Sequence, residues 1–234
     1  MISIIVLTYN EADWIDQILS NLIALPSKSG KEIIIADGGS TDQTISIAEN
    51  HPTIVIKAPK GKAKQMNAAA KFATGDILFF VHADMKFASS TLTTIEENMN
   101  MLGFDGGGFA NVFDQENDKI KRLGKIFNLR LFDRREQSDK GIFYGDNGIF
   151  VKKTVFQKLK GFKEIPIMED FDFSKRMSNQ FKTVKIYKPP IIVSARRHLK
   201  AGFWKTRLQW VIIRKLFQWG ISPVILSKLY RDVR

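Results

Sequence analysis

The sequence has no cysteine and only three histidines in 234 residues. Without a thiol there is no disulfide scaffold, no thiolate zinc site and no cysteine nucleophile. Long apolar runs are missing too: no uncharged stretch approaches the roughly 20 residues that cross a bilayer. The opening Met1-Ile2-Ser3-Ile4-Ile5-Val6-Leu7 lacks the basic start and the small-residue cleavage site of a secretion signal. These absences predict a cytoplasmic protein, with a peripheral place at the inner face of the membrane as the second option. Phosphate cradles are also absent, since no Gly-x-Gly-x-x-Gly follows the first strand-like segment and there is no Walker loop. Acidic residues run short in one region. Residues 152–234 hold 20 basic and 5 acidic side chains (+15), against 16 basic and 19 acidic in residues 1–151 (−3), giving the net +12. The C-terminal third therefore suits an anionic partner. No nucleic-acid-binding motif accompanies it, so nucleic acid is not the expected one.

What is present is an alternation. Ile2–Leu7 is a β-branched apolar run suited to a strand buried on both faces, and Asn10 followed by Glu11 to Leu19 reads as an N-cap and a helix. The unit recurs: a strand over 32–36, a loop over 37–42 and a helix over 41–50; then a strand over 53–57 and a helix over 62–73; then a fourth strand over 76–82. Strands alternating with helices through short loops predict an α/β chain with a mostly parallel sheet covered on both faces. The rhythm ends after Leu102. Gly106–Phe113 reads as a strand, 119–135 as a basic helix or ordered loop, Gly145–Gly148 as a turn into a strand, and Met168 as the start of a helix. Short strands over 183–187 and 191–194 flank Pro189-Pro190, and 203–219 is a basic, aromatic helix followed by another that holds Pro223 in its first turn and ends near Tyr230.

Ligands of such sheets bind at the carboxyl ends of the strands. Polar residues gather at those ends: Thr8-Tyr9-Asn10-Glu11, Asp37 to Asp42, and His82-Ala83-Asp84. They suit hydrogen bonding to a base and ribose and holding a hard cation, with Lys60, Lys62 and Lys64 placed to meet phosphate.

Taken in order, Val6-Leu-Thr-Tyr-Asn-Glu, Ile35-Ala-Asp-Gly-Gly-Ser-Thr-Asp, Gly61-Lys-Ala-Lys-Gln-Met-Asn, Phe80-Val-His-Ala-Asp, Gly145-Asp-Asn-Gly-Ile-Phe, Met168-Glu-Asp and Ser194-Ala-Arg-Arg make the chain resemble the family 2 glycosyltransferases of the GT-A fold. Among them it resembles small bacterial transferases of the arsenosugar-biosynthesis type. The resemblance covers nearly the whole chain. It implies a GT-A fold: a mostly parallel nucleotide-binding sheet flanked by helices, a mixed acceptor-side half and a basic helical C-terminus. It also implies an inverting transfer of one sugar from a nucleotide-diphosphate sugar, a UDP-sugar first, to an acceptor hydroxyl. Thr8 and Glu11 would border the nucleotide, Asp37 would bond the base, Lys62 would face the diphosphate, and Asp84 would hold Mn²⁺ or Mg²⁺ as the last acid of an Asp-x-Asp motif whose first acid is His82 here. Asp170 would be the general base, with Glu169 beside it. Asp146, Asn147 and Arg197 would meet acceptor or sugar, and His198 would be a further metal ligand. The Gln-x-x-Arg-Trp signature of processive members is absent, which favours single-sugar transfer.

Plainer readings stand beside these. Asp37 suits a loop and helix cap in any α/β protein, Asp84 a cap for a helix near Ser89, Asp170 a first-turn acid facing the helix dipole, and His82 a packed strand-end histidine. The helix over 203–219 suits packing on its own domain, a homodimer contact, or a place on anionic lipid. The expected division is one domain over 1–200, with a nucleotide half 1–102 and an acceptor half 103–200, then a basic helical extension over 201–234. The competing functions are a polyprenyl-phosphate sugar transferase at the membrane surface and an inactive nucleotide-sugar-binding protein.

Overall fold

The computed structural model describes residues 1–114, 141–195 and 202–230. Strand β1 (Ile2–Thr8) is buried along its whole length. Its side chains alternate between two cores. Ile2, Ile4 and Val6 face helices α1 (Ala12–Ala24) and α4 (Thr91–Glu96), while Ile5 and Leu7 face α3 (Lys62–Phe72), α5 (Lys153–Lys158) and α6 (Glu169–Gln180). That two-sided burial is why the run carries no polar alternation.

The sheet has eight strands in the order β3-β2-β1-β4-β7-β6-β8-β5. Strands β1, β2 (Lys31–Asp37), β3 (Ile54–Lys57) and β4 (Ile77–His82) are parallel, as the alternation predicts. The other half is mixed: β7 (Phe150–Lys152) runs antiparallel to β4 and to β6 (Gly106–Phe113), β8 (Thr183–Val193) runs parallel to β6, and β5 (Met85–Lys86) pairs antiparallel with β8. The fold is thus α/β of the GT-A kind. Gly107 is required in β6, since a Cβ there would stand 2.0 Å from the Val184 carbonyl oxygen.

Four local expectations change. Asn10 does not cap α1: it takes a left-handed conformation (φ 54°), and its Oδ1 accepts from the Thr41 amide at 2.8 Å, tying the first loop to the second. Helix α2 (Thr44–Glu49) begins three residues later than expected, because Asp42 Oδ1 accepts from the Thr44 amide at 3.0 Å and Asp42 Oδ2 from the Ala12 amide at 3.2 Å. The segments flanking the two prolines form one strand, β8, whose pairing with β6 shifts register across the prolines. Asp84 caps no helix: α4 starts at Thr91 with Ser90 before it. The segment 119–135 lies outside the described residues.

Helices α7 (Phe203–Gln218) and α8 (Pro223–Leu229) form a hairpin that docks on the start of α6. Ile213 and Leu226 are buried against Ile167, Met168 and Phe171, and the Phe171 and Phe217 rings meet edge to face at 5.8 Å. One face of the basic C-terminal segment therefore packs on its own domain.

Candidate active site

The carboxyl ends of β1 and β2 are locked together by their loops. The buried Asp37 carboxylate accepts from Thr8 Oγ1 (3.1 Å), from the Gly39 and Ser40 amides (2.8 and 2.9 Å) and from the Ser40 hydroxyl. Asp42 is lowered from its ordinary value: burial pushes it up, but hydrogen bonds from Thr44 and the Ala12 amide outweigh that. Glu11 donates its amide to Thr44 Oγ1 at 2.8 Å. From α3, the buried Gln65 reaches under both strands, its Nε2 donating to the carbonyls of Thr8 and Ala36 at 2.8 Å each. The Lys60 ammonium sits 3.7 Å from the Tyr9 ring centre at the rim of this platform. The result is a shelf built of hydrogen-bonded loops that brings Thr8, Glu11 and Asp37 together, with Lys60 at its rim.

Beyond the end of β4, three carboxylates converge. The tight turn Gly145–Asn147 and the first turn of α6 bring Asp146 and Glu169 close enough to Asp170 for its charge to act on the ionisation of both. Met168, left-handed at φ 68°, turns the chain into α6 so that Glu169 and Asp170 start the helix. Asp170 Oδ2 accepts from the Gly145 amide at 2.7 Å and Oδ1 from the Phe171 amide at 2.6 Å. Any side chain at 145 would collide with His82, since a Cβ there would lie 2.6 Å from its Nε2. His82 is therefore a strand-end residue packed against the Gly145 turn. Glu169 and Asp170 share a hollow with Leu7, Met66, Phe80, His82 and Phe162.

These carboxylates are electrostatically tense. Glu169 is only 5% exposed, and that burial, then the neighbouring Asp170 charge, push its carboxyl up to about 7, with Lys62 pulling it back. Asp146 is open to solvent but hemmed by protein, and the desolvation, then Asp170, raise it as well. Arg207 from α7, a hydrogen bond from Asn111 Nδ2 (2.8 Å to Oδ2) and Lys62 oppose the rise. Tyr144 is raised by burial and receives Arg214 at 3.4 Å on its hydroxyl. Asn147 is spent on structure: its Oδ1 accepts from the Tyr144 amide at 2.9 Å and closes the turn.

The sequence profile described as Glycosyl transferase family 2 matches residues 3–159. The chain belongs to that family. It is 26% identical to the poly-beta-1,6-N-acetyl-D-glucosamine synthase of Staphylococcus aureus (strain MSSA476), over 92% of this chain and 56% of that protein. It thus spans about half the length of the curated relatives it matches. Among solved structures, S. aureus TarS in complex with UDP-GlcNAc superposes with a TM-score of 0.64 at 18% identity, over 82% of this chain and 58% of that one. The mannosyltransferase PcManGT from Pyrobaculum calidifontis in complex with GDP-Man and Mn²⁺ gives 0.68 at 19% identity, over 97% and 67%. Both confirm the GT-A fold.

Within this family 2 frame the other expected residues fall as follows. Asp84, half-buried in the turn between β4 and β5, borders a second hollow with Trp14, Gln17, Met85 and Asp114. Among the described residues no three acidic or histidine side chains cluster to hold a metal. One carboxylate still fits a Mg²⁺ or Mn²⁺ ion of the nucleotide-bound kind, which takes one or two protein carboxylates and draws its other ligands from phosphate and water. Arg197 and His198 lie outside the described residues. Sequence reading did not single out Gln65, Asn111, Arg207 or Arg214. Gln65 stands in a segment that carried the resemblance, and Asn111 is the lone polar side chain among the buried positions of β6, so both had a signal; the arginines of α7 had none beyond charge.

Proposed function

We propose that this family 2 member transfers a single sugar, with inversion, from a UDP-sugar to an acceptor hydroxyl. The observation that carries the proposal is the convergence of Asp146, Glu169 and Asp170 beyond the strand ends, next to a hydrogen-bonded loop shelf and within the electrostatic reach of Lys62. The UDP-GlcNAc complex of the similar TarS supports the choice of donor.

In this reading the base and ribose rest on the shelf of Thr8, Glu11 and Asp37, which Gln65 keeps rigid, and Lys62 faces the diphosphate. Asp84 would hold a divalent ion there, which when bound supplies positive charge against the leaving diphosphate. Asp170 takes the proton of the acceptor hydroxyl as its oxygen bonds to the anomeric carbon. The bond from that carbon to the diphosphate oxygen breaks, and the nucleoside diphosphate leaves with the electron pair. The two amides on Asp170 fix its direction, which a general base needs before its strength matters. Glu169 and Asp146 line the acceptor side, where a protonated Glu169 can donate to a sugar hydroxyl.

A second reading is favoured by one observation: α7 turns Arg207 and Arg214 toward Asp146 and Tyr144, so cations wall the acceptor side. A phosphate acceptor such as a polyprenyl phosphate would use them and would need no strong base.

The test is a donor panel of UDP-GlcNAc, UDP-glucose and GDP-mannose with Mn²⁺, read by nucleoside diphosphate release and by the anomeric configuration of the product. Asp170→Asn should lose about a hundredfold or more in kcat with donor binding unchanged. Full activity in Asp170→Asn on a phosphate acceptor would select the second reading. Donor binding without turnover on any acceptor would leave a binding protein.

A further inference from the structure

Helix α7 carries two apolar stripes on opposite sides. Phe203, Trp210, Ile213 and Phe217, spaced seven, three and four residues apart, fall on the side that packs inward. Trp204, Leu208, Val211 and Ile212, with Trp219 just past the end of the helix, lie about half a turn away and face solvent, with Trp204, Leu208 and Trp219 61%, 62% and 75% exposed. Helix α8 is held against α7 by Gln209 Nε2 on the Leu229 carbonyl (2.9 Å) and by the Trp210 and Tyr230 rings at 5.0 Å. It too leaves Val224, Ile225 and Leu229 more than half exposed. An exposed apolar surface of this extent marks an interaction site.

Charge chooses the occupant. Residues 202–230 hold five cations, Lys205, Arg207, Arg214, Lys215 and Lys228, and no acid. By helical spacing Lys215 falls within the outward stripe of α7, and Lys228 stands between Ile225 and Leu229 of α8. A second copy of the hairpin would set these like charges against each other, and lysine is depleted at the centre of protein interfaces. A bilayer with anionic headgroups accepts both features: indole rings settle at headgroup depth, and lysine stems lie along the apolar layer with their ammonium groups on lipid phosphate. We propose that the outward face of α7 and α8 docks on an anionic membrane surface. The proposal stands apart from the transfer chemistry, because none of the apolar residues and lysines it rests on is assigned a part in that chemistry.

The experiment is co-sedimentation of the full chain, without donor, with vesicles of phosphatidylcholine alone and with vesicles containing phosphatidylglycerol. The expected result is binding to the anionic vesicles that added salt weakens. The triple variant Trp204→Ser, Leu208→Ser, Trp219→Ser should bind roughly tenfold or more weakly with its melting temperature unchanged. Lys205→Gln, Lys215→Gln and Lys228→Gln should each cost about fivefold. No binding to either vesicle, or equal binding to both, overturns the proposal. So does a wild-type dimer in light scattering that the triple variant converts to monomer without any vesicle binding, an outcome that assigns the face to a second copy.

Discussion

Removing the charge of Glu169 should make the protein more stable above neutral pH. In the unfolded chain this carboxyl titrates at about 4.5; in the folded protein burial, then the Asp170 charge, push it up to about 7. Between those values the folded state holds the proton more tightly than the unfolded state does. Unfolding then releases protons, and stability falls as pH rises across the interval. At about 1.4 kcal/mol per pH unit the penalty reaches about 3 kcal/mol once Glu169 is ionised. Glu169→Gln mimics the neutral form at every pH. Urea unfolding of wild type and variant, followed by tryptophan fluorescence, should show the variant about 3 kcal/mol more stable at pH 8, with the gap closing toward pH 4.5. A companion variant separates the causes: Asp170→Asn removes a like charge, so in that variant the loss of stability should end at a lower pH and be smaller than in wild type. If Glu169→Gln is no more stable than wild type at pH 8, or if the gap stays constant with pH, burial and like charge do not govern this site and the reasoning fails.

Three further outcomes follow from particular contacts. Gln65→Leu leaves the Thr8 and Ala36 carbonyls without their side-chain donor; calorimetry should show a loss of about 2 kcal/mol, and titration with UDP should show weaker donor binding. Gly145→Ala forces a Cβ to within 2.6 Å of His82 Nε2, so the amide that holds Asp170 must shift, and kcat should fall with little change in KM for the donor. Glu96 runs opposite to Glu169. Burial raises its carboxyl, but donors from Ser29, Lys28 and Ser27 outweigh it and hold it at about 2. The stability it contributes is present above pH 4.5 and lost as pH falls toward 2; Glu96→Gln should cost about 2 kcal/mol at pH 7, allowing for solvent screening of a shallow loop, and nothing near pH 2.

The parallel half of the sheet was legible because its signals are local. Ile2–Leu7, the Asp37-Gly-Gly-Ser loop and the Lys62 helix each announce themselves within ten residues, and right-handed crossovers leave little freedom in joining them. The resemblance implied a mixed second half, but its strand order was not legible. Strand order β7-β6-β8-β5 depends on pairings between residues far apart, such as Gly107 against Phe150 and Val184, and no local pattern specifies them. The same distinction runs through the site. Asp37, Glu169 and Asp170 could be read from short motifs, whereas the bond from Asn111 to Asp146 and the approach of Arg207 and Arg214 are made by chain segments that meet only in the folded protein. Asn10 misled because its residue type suits both a helix cap and a left-handed turn, and the amide of Thr41, thirty-one residues away, decided between them.

The two buried glutamates show what separates scaffold from site. Glu96 and Glu169 are 4% and 5% exposed, so burial alone does not distinguish them. Glu96 lies where a serine-rich loop offers it several donors, and its ionised form fastens that loop to α4. Glu169 lies beside another carboxylate, among Leu7, Phe80 and Phe162, and its ionised form works against the fold. A neutral glutamine at 169 would relieve that tension at once. A titratable group held near neutrality in a hollow, at a cost the fold could avoid, is the arrangement that proton transfer and hydroxyl binding require. The same burial and like charge that make Glu169 unfavourable for stability are therefore what support the proposal that the acceptor is met at the start of α6.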